Sequence, residues 1–290
     1  MSDTSVQDSV EVLVKEKLDQ LVSFAKNEDS LTEVWGKQFD LGLAWVHFPE
    51  EAGGLGVDPK YQLLINETLR KEGISYQNRV ANILGIGMGA PTIVEYGTPE
   101  QIKKYLRPMF TAEEIWCQMF SEPGSGSDLA SLSTKAVDDG DGYIVNGQKV
   151  WTTLGHLAKY GLLVTRTDPE VPKHRGLTFF IVDMESEGVE VRPLRQITGE
   201  AEFNEIYFTD VKIPKENMLG ELGDGWRVSL TVLMNERVAI GGNVRERGSG
   251  APGHLIQLWK ERQLEDPVIK DLSLIHISEP TRPLYISYAV

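Results

Sequence analysis

Two segments some twenty residues apart hold residue types that can cradle a ligand. Ser121-Glu122-Pro123-Gly124-Ser125-Gly126-Ser127-Asp128 pairs glycines, which let backbone N–H groups turn toward a bound group, with the hydroxyls of Ser121, Ser125 and Ser127. Asn146-Gly147-Gln148-Lys149-Val150-Trp151-Thr152-Thr153 ends in a tryptophan followed by two hydroxyls, which can cover a flat heteroaromatic ring and hydrogen-bond its edge. Each also has a plainer reading, a surface turn for the first and a core tryptophan for the second. A third feature is Asn235-Glu236-Arg237, set in a stretch of helical period. Neighbours at i and i+1 do not face each other on a helix, so a local ion pair does not account for Glu236 beside Arg237.

Other chemistries lose their main supports. Cys117 is the one cysteine, which excludes an intrachain disulfide and a Cys-based metal site. His47, His156, His174, His254 and His276 show no H-E-x-x-H or other paired ligand spacing, and no G-x-S-x-G nucleophile turn exists. No metal is therefore expected. Gly85-Ile86-Gly87-Met88-Gly89-Ala90 satisfies a loose G-x-G-x-x-A pattern, but no strand precedes it and Pro91 stands where a phosphate-binding helix would open. Close helix packing through small residues is the better reading. Asp138 to Gly142 faintly resembles a calcium loop, yet Val137 falls at the first ligand position and no glutamate closes the loop.

Three blocks of elements must position these residues. Residues 7–110 read as helical, with Val10, Val12, Leu13, Leu18, Leu21 and Val22 marking one face of a first helix. Thr32 to Leu43 and Tyr61 to Lys71 form further helices around the turn Gly53-Gly54-Leu55-Gly56. Thr98-Pro99-Glu100 opens another, with threonine as N-cap and proline at the first helical position. From Trp116 to about Ile213 the signals are those of strands. Asn146-Gly147 between two β-rich runs predicts a hairpin with a type I′ turn. Leu162 to Thr165, Leu177 to Val182, Val189 to Val191 and Ile206 to Val211 are β-branched or aromatic runs. Short strands with no helices between them predict a sandwich or small barrel rather than a parallel sheet. After Gly220 to Gly225 the helical period returns, with Leu230, Leu233, Met234, Arg237 and Ile240 on one face of a helix ending near Gly248.

The 290 residues suggest about two domains. Lys and Arg number 29 against 43 Asp and Glu, a net charge of −14 that argues against a nucleic-acid groove or an anionic membrane surface. The polar start MSDTSVQDSV has no apolar core of a signal peptide, and Ile83 to Val94 is too short and too rich in glycine to span a bilayer. A cytoplasmic protein without a membrane span is expected. Residues 272–290, LSLIHISEPTRPLYISYAV, do not continue the helical pattern and resemble the conceptual translation of a sequencing adapter and its flanking primer. The expectation is a non-native tail, with the natural protein continuing beyond Asp271.

Taken together the segments resemble the acyl-CoA dehydrogenase family. Its flavin-binding signature, T/S-E-P-x-x-G-S-D and then I-N-G-x-K-x-W-I-T-N, is similar to Ser121–Asp128 and Val145–Thr153. Phe48 to Gly56 resembles its P-E-x-x-G-G turn, and Gly97 to Pro108 its G-T-x-E-Q-K helix. Phe203 to Pro214 resembles its F-x-x-V-x-x-x-x-V-P strand, and Gly223 to Trp226 its G-x-G-F/W turn. The resemblance implies an α-helical N-terminal domain over 1–115, a β-barrel middle domain over 116–219 and the start of a C-terminal helical bundle over 220–271. It implies FAD as cofactor, an acyl-CoA substrate, an electron-transfer flavoprotein as acceptor, and a homodimer or homotetramer at full length.

Residue by residue, the resemblance lays Phe120, Ser121 and Gly126 along the flavin and covers its ring with Trp151. Thr153 lies at the ring edge near N5, and Thr152 is counted with the cofactor-binding residues. Ser127 contacts the pantetheine arm, and Arg237 lies at the substrate end of its helix. Glu236 matches the family branches that carry the catalytic glutamate immediately before that arginine; other branches carry it far downstream. Met234 stands where some members have a substrate-binding aspartate, and Gln118 where many have an aromatic residue. The implied reaction is α,β-desaturation of an acyl-CoA thioester, with an oxidase or monooxygenase of the same fold, or a non-catalytic flavin- or CoA-binding subunit, as the alternatives.

Overall fold

The computed structural model describes residues 3–74, 82–241 and 251–262. The chain divides into two units, 1–239 and 240–290. In the second, helix α7 (Ala251–Glu261) is described; residues 272–290 and the predicted helix end near Gly248 lie outside the described residues.

The first unit begins with helices α1 (Asp3–Ala25), α2 (Leu31–Asp40) and α3 (Tyr61–Lys71). Their shared core holds Val14, Leu18 and Leu21 from α1 with Val34, Ile65 and Leu69. The inward face of α1 is therefore rotated from the expected one, and Val12 and Leu13 point to solvent. Burial was set by where α2 and α3 lie, which the periodicity of α1 does not contain. Helices α4 (Ala90–Tyr96) and α5 (Pro99–Phe110) follow. Helix α5 starts as its sequence predicts: the Thr98 hydroxyl accepts from the Gln101 N–H, and the Gln101 side chain accepts from the Thr98 N–H.

Gly85–Gly89 forms a π-helical turn ahead of α4. A Cβ at Gly87 would lie 2.8 Å from that of Ala239 on α6 (Gly225–Gly241), so the glycine lets two helices approach closely. The G-x-G-x-x-A segment serves packing, with no strand or phosphate loop around it.

The middle of the chain is a seven-stranded sheet curled into a half-barrel. Its strands are β1 (Trp116–Met119), β2 (Lys135–Asp138), β3 (Gly142–Thr153), β4 (Tyr160–Arg166), β5 (Leu177–Asp183), β6 (Val189–Leu194) and β7 (Phe203–Pro214). The order is β1-β4-β2-β3-β7-β6, with β5 paired to β4 off this path. Most pairs are antiparallel, but β1 runs parallel to β4, from Trp116 opposite Tyr160 to Met119 opposite Leu163.

Strands β4 and β5 are buried on both faces, and successive residues feed opposite cores. Leu162, Val164, Leu177, Phe179 and Ile181 meet the helices, including Val228 and Val232 of α6. Leu163, Phe180 and Val182 turn into the sheet interior with Val145, Phe208 and Ile213. Two buried amides fasten the helical part to the sheet. Asn82 donates to the Met109 and Glu114 carbonyls and accepts from the Trp116 N–H. Gln101 donates to the carbonyls of Glu216 and Met218.

The predicted hairpin at Asn146-Gly147 does not form; β3 runs straight through it. Val145 pairs with Val211 and Gly147 with Phe208, so Thr209 and Asp210 of β7 bulge opposite Asn146. The Asn146 side chain satisfies that bulge, accepting from the Asp210 N–H at 3.0 Å and donating to its carboxylate at 3.0 Å. Gly147 is required by space: a Cβ there would stand 2.7 Å from Thr134 Cα. Gly147→Ala is expected to lower unfolding free energy by about 1–3 kcal/mol, because a backbone cannot yield as a side chain does. Urea denaturation checks it.

Candidate functional site

The site grows from a second bulge in β3. Lys149 pairs with Ile206 and Thr152 with Asn204, so Val150 and Trp151 together oppose Glu205. Trp151 takes the left-handed region at φ 63°, a conformation that costs an L-residue about 1–2 kcal/mol. The bulge turns its indole outward, leaving it 62% exposed and edge-on to Phe203 at 6.1 Å between centroids. Among the described residues this strained tryptophan fills no core. Thr152 beside it is buried, with a hydroxyl that has no partner among the described residues and a carbonyl that accepts from Asn204. Thr153 follows, half-buried at the strand end.

The loop 120–128 is strapped against this bulge. The Val150 N–H donates to the Ser121 carbonyl at 2.9 Å. The Lys149 ammonium, fully buried, donates to the Phe120 carbonyl at 3.0 Å and to the Glu122 carboxylate at 2.9 Å. Glu122 also accepts from the Ser133 N–H and hydroxyl and from the Thr134 N–H. Burial alone raises the Glu122 carboxyl, but the ammonium and these donors outweigh it and hold it at about 2. Burial brings Lys149 down to about 8 against the attraction of Glu122, so the pair is ionised at pH 7.

The loop itself is only partly open. The Ser125 hydroxyl turns inward to the Asp128 carbonyl at 2.6 Å and is not available to a ligand. Ser127 and the glycines 124 and 126 are exposed, and a Cβ at either glycine would meet nothing within 4 Å. The Phe120 ring is buried edge-on to Phe179 at 5.8 Å, so its contribution to an open site is main chain.

Helix α6 supplies the carboxylate. It is seated by Val228 and Val232 in the core, by a Tyr96–Thr231 hydroxyl bond of 3.0 Å, and by Gly225, where a Cβ would strike the Leu177–Thr178 backbone. Of the expected apolar face Leu233 packs against the core, but Leu230 and Met234 are exposed, as is Val238. Glu236 lies one turn beyond Val232, half-buried, and its Oε2 accepts from Gln118 Nε2 of β1 at 3.4 Å. Arg237 is exposed, with Nη1 3.8 Å from the Met234 sulfur.

Residues 118–121, a span of about 10 Å of chain, thus meet the α6 carboxylate through Gln118 and the Val150–Trp151 bulge through the Ser121 carbonyl. For two residues named in the sequence the partners come only from the fold. Lys149 was legible in principle: it continues the inward parity of Tyr143 and Val145, and an inward lysine demands a buried counter-charge. Gln118 gives no such signal, because its partner is 118 residues away.

Comparison with known proteins gives the family of the two domains. Residues 2–113 match the family model for the acyl-CoA dehydrogenase N-terminal domain, and residues 117–211 that for the middle domain. Acyl-CoA dehydrogenase FadE34 of Mycobacterium tuberculosis is 48% identical over 202 residues, which are 69% of this chain and 28% of that protein. The crystal structure of an acyl-CoA dehydrogenase from Geobacillus kaustophilus superposes with a TM-score of 0.59 at 37% identity, covering 72% of this chain and 55% of that one. The ChsE4-ChsE5 complex from Mycobacterium tuberculosis gives 0.58 at 33% identity, covering 79% and 60%. The chain spans less than two thirds of the length of these relatives. By its two matched domains, its sheet and its signature loops, the chain belongs to the acyl-CoA dehydrogenase family.

Proposed function

We propose that this chain carries the flavin site and the proton acceptor of an FAD-dependent oxidoreductase that desaturates an acyl-CoA thioester between its α and β carbons. The observation that carries the reading is the contact from Gln118 to Glu236, which brings a carboxylate to the strand that leads into the strapped loop. The residues fit the cofactor. The outward indole offers a flat cover, the half-buried Thr153 offers a polar atom at its edge, and Ser121 with the open Gly126 backbone offers a rim, whereas Thr152 is fully buried and turns its side chain into the fold rather than to a ring on that face.

FAD, when bound, supplies the acceptor for the β-hydride. The chain does the rest. Glu236 takes the α-proton, and closure of the site around acyl chain and ring keeps water from that transfer. Backbone and hydroxyl donors around the thioester carbonyl stabilise the charge that develops as the proton leaves. Ser127, on the exposed loop, meets the pantetheine arm, and Arg237 lies at the substrate end of α6. The acceptor that removes the electrons is an electron-transfer flavoprotein, and the complete protein assembles as a homodimer or homotetramer. Among the described residues no helix is long and apolar enough to cross a membrane.

The test is anaerobic addition of straight-chain, branched and ring-bearing acyl-CoA thioesters to the flavin-loaded protein, watching the flavin absorbance. Bleaching with at least one is expected. Tight thioester binding without bleaching by any of them leaves a binding subunit instead. Trp151→Ala is expected to reduce flavin retention about tenfold or more, since a stacking ring contributes about 1–3 kcal/mol. The flavin-to-protein absorbance ratio after gel filtration checks it, and full occupancy in the variant removes the indole from the site.

A further inference from the structure

We infer that Gln118 is a positioning residue for Glu236, able to pair with that side chain both before and after it takes a proton; the inference rests on the reading of Glu236 as the proton acceptor. Gln118 leaves β1 immediately before the loop and reaches α6, where its Nε2 stands 3.4 Å from Glu236 Oε2. The other end of the same amide, Oε1, is buried and has no partner among the described residues. Buried polar atoms are nearly always hydrogen-bonded, so an acceptor left idle on the amide that meets a candidate catalytic carboxylate calls for a reason.

The chemistry of the two groups supplies one. An ionised carboxylate only accepts, and the amide meets it with N–H. Once the carboxylate holds the proton taken from the substrate α-carbon, it becomes a donor and needs an acceptor. A half-turn of the Gln118 amide about its last bond presents Oε1 in place of Nε2. A purely donating partner such as lysine would favour only the ionised form, and an apolar one would hold neither. Glutamine can keep the Glu236 carboxyl aimed at the same point through both halves of the cycle. Gln118 itself exchanges no proton with substrate.

The experiment compares Gln118→Met, nearly the same size but apolar, with the parent flavin-loaded protein in rapid-mixing measurements of flavin bleaching. The expected result is a bleaching rate at saturating acyl-CoA about tenfold lower, with the half-saturating concentration and the flavin content unchanged. A parental rate, or a loss of affinity and flavin content in step with the rate, overturns the inference. Gln118→Asn keeps the amide but is one methylene too short, and the same split is expected; a parental rate there also overturns it, which covers the case in which Gln118→Met does not fold. Glu236→Gln separates the two levels of the argument. If that variant bleaches normally, the assignment of the base fails; if it is inactive while Gln118→Met is normal, the role of Gln118 alone fails.

Discussion

Lys149→Met is expected to destabilise the protein by about 3–5 kcal/mol, more than the strain of Gly147→Ala on the same strand. The lysine is fully buried and its removal leaves the Glu122 carboxylate without its counter-charge under the sheet. The Phe120 carbonyl loses its donor at the same time, so the strap that holds the loop 120–128 against β3 loosens. Removing both charges in Glu122→Gln with Lys149→Met should recover part of the loss, because no unpaired ion then remains. The pH dependence has a definite sign. The Glu122 carboxyl lies at about 2 when folded against 4.5 for the free group, so between those values the unfolded chain binds more protons. Its contribution is complete above 4.5 and is lost as the pH falls toward 2. Urea denaturation should therefore show a wider gap between parent and Lys149→Met at pH 7 than at pH 3. Equal stability of the two at pH 7 would show that the pair is not an ionised buried pair at all.

Glu236→Gln is expected to lower acyl-CoA-dependent flavin bleaching by about 10²–10⁴-fold while flavin content stays at the parental level. The amide matches the carboxylate in size and still fits opposite Gln118, so the fold of α6 has no reason to change. What it lacks is a lone pair basic enough to take the α-proton. The helix core residues Val232 and Val228 lie one and two turns away and are untouched. Thermal denaturation and flavin absorbance should match the parent, and stopped-flow bleaching should not. Normal bleaching would move the proton acceptor to a carboxylate downstream, as in the other branches of the family.

Sequence and structure part company where one residue property serves two purposes. Asn146-Gly147 tolerates unusual backbone angles and so reads as a turn. The structure uses the same pair to let β3 pass Thr134 closely and to satisfy a bulge in β7. The period of α1 and α6 was right, but the seated face was displaced, leaving Val12, Leu13, Leu230 and Met234 exposed. An amphipathic stripe wide enough to offer two faces is resolved only by the neighbour that covers one of them.

The linear sequence determined the elements whose causes are local. Thr98-Pro99 starts α5 because the cap and the fixed φ act within four residues. Likewise the loop 120–128 and the strand to Thr153 carried their family signature in contiguous residues. The tertiary structure alone decided which of these meet. The bulge that turns Trp151 outward depends on the register of β3 with β7, and the Lys149–Glu122 pair on a strand packing over a loop. The Gln118–Glu236 contact joins residues 118 positions apart. Capping and turn preferences are short-ranged and written in neighbouring residues, whereas register and burial follow from what packs on each face.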